Sequence, residues 1–168
     1  MLAYTFWHWP NTGAADYEAR LRRFHEAMRA APPAGFRGSY AFRHGAAPWL
    51  PGPAYLDWYL VDGFAELQSL NDGAISLSRK EPHDAVAAQA RGGAGGVYKL
   101  YSDDREPKGP ARWFSKPDGM RYDQLLPQLK GSAWMRQMVL GPSPEFVVFG
   151  ADVPPGTGAL TCTLERVA

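Results

Sequence analysis

The stretch Tyr4-Thr5-Phe6-Trp7-His8-Trp9-Pro10 constrains this chain more than any other. Aromatic and β-branched residues favour a pleated, half-buried strand, and proline stops one cleanly. Both faces of the strand carry bulky rings, which bury large areas when they pack. A shorter version returns as Arg112-Trp113-Phe114-Ser115-Lys116-Pro117. At 168 residues the chain fits one domain or two small halves sharing a core. The echo of the aromatic strand favours two halves.

Between the two copies the periodicity changes several times. Asn11-Thr12-Gly13 reads as a turn. Tyr17, Leu21, Phe24 and Met28 recur at three- and four-residue spacing, which predicts a helix from Ala14 that Pro32-Pro33 ends. Phe36–His44 and Ala54–Val61 read as strands joined by a proline- and glycine-rich connection. Phe64–Leu70, extended by Ala74–Leu77, and Pro82–Ala90 read as helices, Gly92–Gly96 as a flexible turn, and Val97–Tyr101 as a fourth strand. After a polar linker come a strand at Arg112–Lys116 and a helix near Met120–Leu129 that Pro127 shortens or kinks. Trp134–Leu140, Phe146–Phe149 and Ala159–Val167 read as the remaining strands. Asp152–Gly158 is too short and too rich in proline and glycine for a helix.

The expected architecture is α+β. A β-α-β-β-α-β half over residues 1–101 is followed by a linker at 102–110 and a second half over 111–168 that lacks its second helix. The halves match in order, Pro10…Tyr17…Leu21 against Pro117…Tyr122…Leu126 and then Leu50–Tyr55 against Leu140–Phe146. Through Tyr4–Pro10, Phe36–His44, Ala54–Gly63 and Val97–Tyr101, with the echoes Arg112–Pro117, Trp134–Leu140 and Pro144–Gly150, the chain resembles a tandem member of the dimeric α/β-barrel superfamily. The resemblance implies fused ferredoxin-like halves whose antiparallel sheets pack face to face across a central cavity. It also implies a menu of functions: cofactor-less monooxygenases, haem-binding and haem-degrading proteins, isomerases and dehydratases, and ligand-binding regulatory domains. Fold alone does not choose among them.

Charge removes other classes. Eighteen Lys+Arg against seventeen Asp+Glu leave a net charge of +1, which offers no field for nucleic acid or an anionic membrane surface. The lone Cys162 excludes an internal disulfide and a cysteine zinc site, and its strand-like surroundings suit a small buried hydrophobe. No signal peptide or membrane span is evident, so a cytoplasmic protein is expected. The glycine-rich nucleotide loops, the Gly-x-Ser-x-Gly elbow and the His-Glu-x-x-His zinc motif do not occur.

Strand alternation selects the candidate site residues. Leu56, Trp58 and Leu60 share one face of the third strand and are expected to pack under the helices. Tyr55, Asp57, Tyr59 and Val61 share the other and are expected to face the cavity, where an acid between tyrosines can carry protons. His8 shares a face with Tyr4 and Phe6, opposite Thr5, Trp7 and Trp9, and both faces are too bulky to show which one lines the cavity. His8, Asp57 and Tyr59 are therefore the candidate catalytic residues. Arg136, Tyr55 and His44 are the candidate substrate-binding residues. Arg136 would pair internally, with Asp57 a candidate partner, or hold an anionic group, and His44 would lie at a cavity rim or on the surface. His25, among charges, reads as a surface residue of the first helix; His83, in Pro82-His83-Asp84, reads chiefly as part of a helix start, and the resemblance makes it the helix histidine to test for haem. The lead expectation is a small-molecule-binding protein, with cofactor-independent catalysis on an organic substrate in view and no metal. A haem-binding protein and a non-catalytic ligand-binding or structural domain are the alternatives, and a homodimer stays open.

Overall fold

The computed structural model describes residues 1–11 and 13–168, so the turn expected at Asn11–Gly13 lies partly outside the described residues. The elements in order are β1 (Leu2–Pro10), α1 (Ala14–Ala30), β2 (Phe36–His44), β3 (Ala54–Val61), α2 (Ala65–Ala74), a 3-10 turn (Leu77–Arg79) and α3 (Lys80–Ala87). They continue with β4 (Ala90–Leu100), β5 (Ala111–Phe114), α4 (Tyr122–Leu125), a second 3-10 turn (Leu126–Gln128), β6 (Ser132–Arg136), β7 (Phe146–Phe149), β8 (Leu160–Cys162) and β9 (Leu164–Arg166). The described residues are thus α+β, with four helices on one antiparallel sheet of nine strands.

The strand order is β8-β5-β7-β6-β4-β1-β3-β2-β9. The first four strands lie as β4-β1-β3-β2 and the next four as β8-β5-β7-β6, the same permutation twice. Only Thr163 separates β8, which pairs with β5, from β9, which pairs with β2. One segment therefore serves both edges and draws the ends of the sheet together into a ring, pairing with β2 over Phe42–His44. Among the described residues, no helix is long and apolar enough to cross a membrane.

Alternation along the strands divides the side chains between the inside of this ring and the helix-covered outside. Inside, Trp7, Leu56, Trp58, Leu60, Tyr98, Trp113, Trp134 and Phe149 belong to one buried cluster. Trp58 meets Trp134 and Phe149 edge-on, with ring centroids 5.3 Å away in each case. Outside, Tyr4, Tyr59, Val61 and Val97 pack against Phe24 and Met28 of α1 and Leu67 and Leu70 of α2.

Four expectations are corrected. The Leu56-Trp58-Leu60 face does not lie under the helices; it fills the ring, because the largest rings of both parts of the chain meet there. Gly92–Gly96 is not a turn but the middle of β4, paired with β1 throughout. The reason is steric: a Cβ on Gly93 would come within 2.4 Å of the Phe6 ring, and one on Gly95 within 3.1 Å of the Tyr4 ring. The strand expected to reach Leu140 stops at Arg136, since Met138 and Val139 take left-handed backbone angles that a strand cannot accommodate. The expected last strand is split into β8 and β9 by its change of pairing partner. The helix near residue 120 is a single α turn running into the 3-10 turn at Pro127, and no helix is found between β7 and β8.

Candidate functional site

A pocket of about 490 Å³ lies outside the ring, between the sheet and the helices. Its floor is made by Tyr4, Phe6 and His8 of β1, Asp57 and Tyr59 of β3 and Val97 of β4. Tyr17 and Phe24 of α1, Leu67, Leu70 and Ala74 of α2, and His83 and Val86 of α3 supply walls. Exposed Asn71, Ile75 and Ala87 stand at its mouth. The floor depends on β4: without side chains at Gly93 and Gly95, the rings of Phe6 and Tyr4 lie down across that strand.

At the closed inner end sits Asp57, only 3% exposed. Its Oδ1 is 3.2 Å from Nε2 of His8 and 3.3 Å from Nε2 of His25, and its Oδ2 accepts a 2.7 Å bond from the Tyr59 hydroxyl. Both imidazole contacts are close yet poorly directed, so the two Nε2 atoms and Oδ1 have no aligned hydrogen-bond partner among the described residues. The far side of each ring is anchored: His8 Nδ1 hydrogen-bonds the Tyr17 hydroxyl, and His25 Nδ1 lies 2.8 Å from Ser39 Oγ. His8 is also held face-on by Phe6 and Tyr55, at centroid distances of 5.3 and 5.8 Å.

Burial by itself pushes the Asp57 carboxyl upward, but the charges that His8 and His25 can carry outweigh it and hold the carboxyl well below its ordinary range. Its negative charge acts in turn on the surrounding phenols. Tyr4, Tyr17 and Tyr59 are all raised, by burial first and by Asp57 second, so each stays a neutral hydroxyl. The Tyr4 hydroxyl has no hydrogen-bond partner among the described residues.

Of the candidate catalytic residues, His8, Asp57 and Tyr59 do come together on this pocket. The cavity they line is on the helix side of the sheet, not between facing sheets. The candidate substrate-binding residues do not join them. Tyr55 stacks on His8 but gives its hydroxyl to Glu18 at 2.9 Å, and Glu18 is held ionised chiefly by Arg43. Arg136 neither pairs with Asp57 nor lines the pocket; its guanidinium donates to the carbonyls of Gly141 and Ser143 and ties down that loop. His44 is not a surface residue: it is buried inside the ring beside Trp49 and Trp113, bonded through Nδ1 to the Gly45 carbonyl, with a smaller hollow of about 330 Å³ alongside.

Two participants escaped the sequence reading. His25 is fully buried against Asp57, although charged neighbours suggested a surface position. Its place four residues after Leu21 and three before Met28 puts it in the same buried stripe, and that spacing was the available signal. Tyr17 belongs to the apolar spacing that predicts the helix, and its hydroxyl's bond to His8 depends on a strand approach that local spacing cannot show.

No group of three or more His, Cys, Asp or Glu side chains among the described residues is arranged to hold a metal ion. Haem fits poorly. His83 sets Nδ1 3.1 Å from Asp84 and its ring edge against Phe24, and no Lys or Arg lines the pocket to meet propionates. No family model and no curated protein sequence matches the chain.

Proposed function

We propose that the protein binds a small organic molecule in the outer pocket and exchanges a proton with it through Tyr17, His8 and Asp57. The observation that carries this is the buried Asp57, faced by two imidazoles, at the closed end of an otherwise apolar pocket. Such a combination of apolar walls and a few convergent polar groups suits ligand recognition.

The proton path follows from the anchoring of His8. With its Nε2 proton turned to Asp57, neutral His8 accepts the Tyr17 hydroxyl at Nδ1. As a ligand acid gives its proton to the Tyr17 oxygen, Tyr17 passes its own to Nδ1, and His8 becomes an imidazolium that donates to the carboxylate and to the Tyr17 oxygen. The reverse transfer returns the proton to the ligand through Tyr17. Asp57 positions and neutralises the imidazolium, as a carboxylate behind a catalytic histidine does, and the raised Tyr17 keeps the phenol a donor and not a phenolate.

The doubled strand order supports placing this pocket on the first of two fused ferredoxin-like halves, residues 1–101, with 102–110 as linker and 111–168 as the shortened half. The second half would then carry no matching pocket, for want of a second helix to cover its sheet. Native mass spectrometry against the denatured mass tests the binding. The expected result is a small molecule retained by the native protein and lost on Ile75→Trp, which plugs the mouth without entering the core. If neither purified protein nor a fragment screen shows binding that Ile75→Trp abolishes, the proposal fails.

A further inference from the structure

The outer pocket is unbalanced in charge. A carboxylate stands at its closed end, while no lysine or arginine lines its walls. The sequence reading allowed an anionic substrate through Arg136, but that guanidinium is spent on the carbonyls of Gly141 and Ser143. An anion entering the pocket would meet Asp57 with no fixed cation beside it, since only the imidazoles of His8 and His25, charged when protonated, offset the repulsion. The arginines near the site are engaged elsewhere: Arg43 pairs with Glu18 and Glu165, and Arg23 with Glu81.

The rings around the carboxylate add a second observation. Tyr4 lies nearly parallel to Phe6, at 16°, and to Tyr59, at 21°, with centroids 6.4 and 6.2 Å apart. Tyr4 and Phe6 lean across Gly95 and Gly93, and both line the pocket beside Asp57. Aromatic faces are electron-rich, and a cation over them is attracted more strongly where water is excluded. Phe24 stands against Tyr59 at 61° and closes the side of this box. The third observation is Asp57 Oδ1 itself, a buried atom at the inner end of the pocket without a directed partner. A neutral apolar ligand would leave that carboxylate facing only the two imidazoles and the Tyr59 hydroxyl, whereas a cation adds a further favourable charge contact.

We infer that this pocket selects an organic cation, a substituted ammonium whose charge lies over the Tyr4–Phe6–Tyr59 floor and faces Asp57. The inference rests on the outer pocket being the ligand site. Titration calorimetry on the full chain with three phenols tests it: the isosteric pair 3-hydroxyphenyltrimethylammonium and 3-tert-butylphenol, and the anion 3-hydroxybenzoate. The ammonium compound should bind at least about tenfold tighter than 3-tert-butylphenol, as a desolvated cation–aromatic contact supplies, and the benzoate should bind weakest. Asp57→Asn should abolish the preference for the cation. Should that variant not fold, Phe24→Leu keeps an apolar wall and should weaken the cation severalfold more than the neutral compound. Equal or weaker binding of the cation beside measurable binding of 3-tert-butylphenol would overturn the inference and leave the pocket a ligand site. Binding of none of the three would overturn both.

Discussion

The two faces of β3 come from alternate residues of one eight-residue strand, yet they do opposite work. Leu56, Trp58 and Leu60 point into the ring, where tryptophans from β1, β5 and β6 meet them in a filled core. Tyr55, Asp57 and Tyr59 point out toward the helices, where the chain keeps a pocket and a buried carboxylate. Both faces leave donors without partners, the indole N–H groups of Trp7, Trp58 and Trp113 inside and the imidazoles outside. On the outer face those unpartnered atoms gather around a charge beside a pocket. Four bulky indoles occupy the space between facing strands, and the pocket around Asp57 lies instead where helices rest on a glycine-thinned strand.

The comparison breaks most visibly at Trp58. Trp58→Ala should cost about 3–5 kcal/mol in chemical denaturation, because Trp134 and Phe149 cannot collapse into the space. The folded variant should bind pocket ligands as the parent does; a comparable loss of affinity would show that the faces are not independent.

His25→Leu should cost about 2–3 kcal/mol, since it removes a charged-group contact from Asp57 and strands the Ser39 hydroxyl. The same carboxylate makes the outer face sensitive to acid. The folded Asp57 carboxyl is held below its ordinary value of 3.8, so its contribution to stability is complete above that pH and is lost as the pH falls toward the folded value. Denaturation midpoints between pH 5 and pH 2 should fall less steeply in Asp57→Asn than in the parent, while Trp58→Ala keeps the parental slope. Parallel slopes in all three would remove Asp57 from the account.

Gly93→Ala should cost about 1.5 kcal/mol, because the new methyl meets the rigid Phe6 ring at 2.4 Å and the Trp7 carbonyl at 2.9 Å. It should also weaken ligand binding by lifting the floor, and unchanged affinity would mean the ring can shift freely. The smallest effect belongs to Tyr4→Phe. With no partner for the hydroxyl, stability should stay within about 0.5 kcal/mol of the parent, and any loss should appear in calorimetric ligand binding alone.

Much of this was legible locally. Strands β1, β3 and β5 follow from runs of aromatic and β-branched residues, α1 from its apolar spacing, and the missing helix before β8 from a short stretch of proline and glycine. His8, Asp57 and Tyr59 could be grouped because alternation places Asp57 and Tyr59 on one face and because β1 is dense in rings. Which face turned outward was not legible, since alternation is unchanged when inside and outside are exchanged. The burial of His25 required α1 to dock over β3. The strand character of Gly92–Gly96 required rings from β1 to occupy the space its missing side chains leave.

The amino-acid sequence by itself determined the elements and the alternation that sorts their side chains, because both depend on neighbours a few residues apart. Only the tertiary structure decided that Leu160–Arg166 closes the ring, that the tryptophans fill it, and that a carboxylate, two histidines and two tyrosines meet beneath the helices. Those outcomes depend on competition among rings distant in the chain for one enclosed volume, and no local pattern encodes the winner.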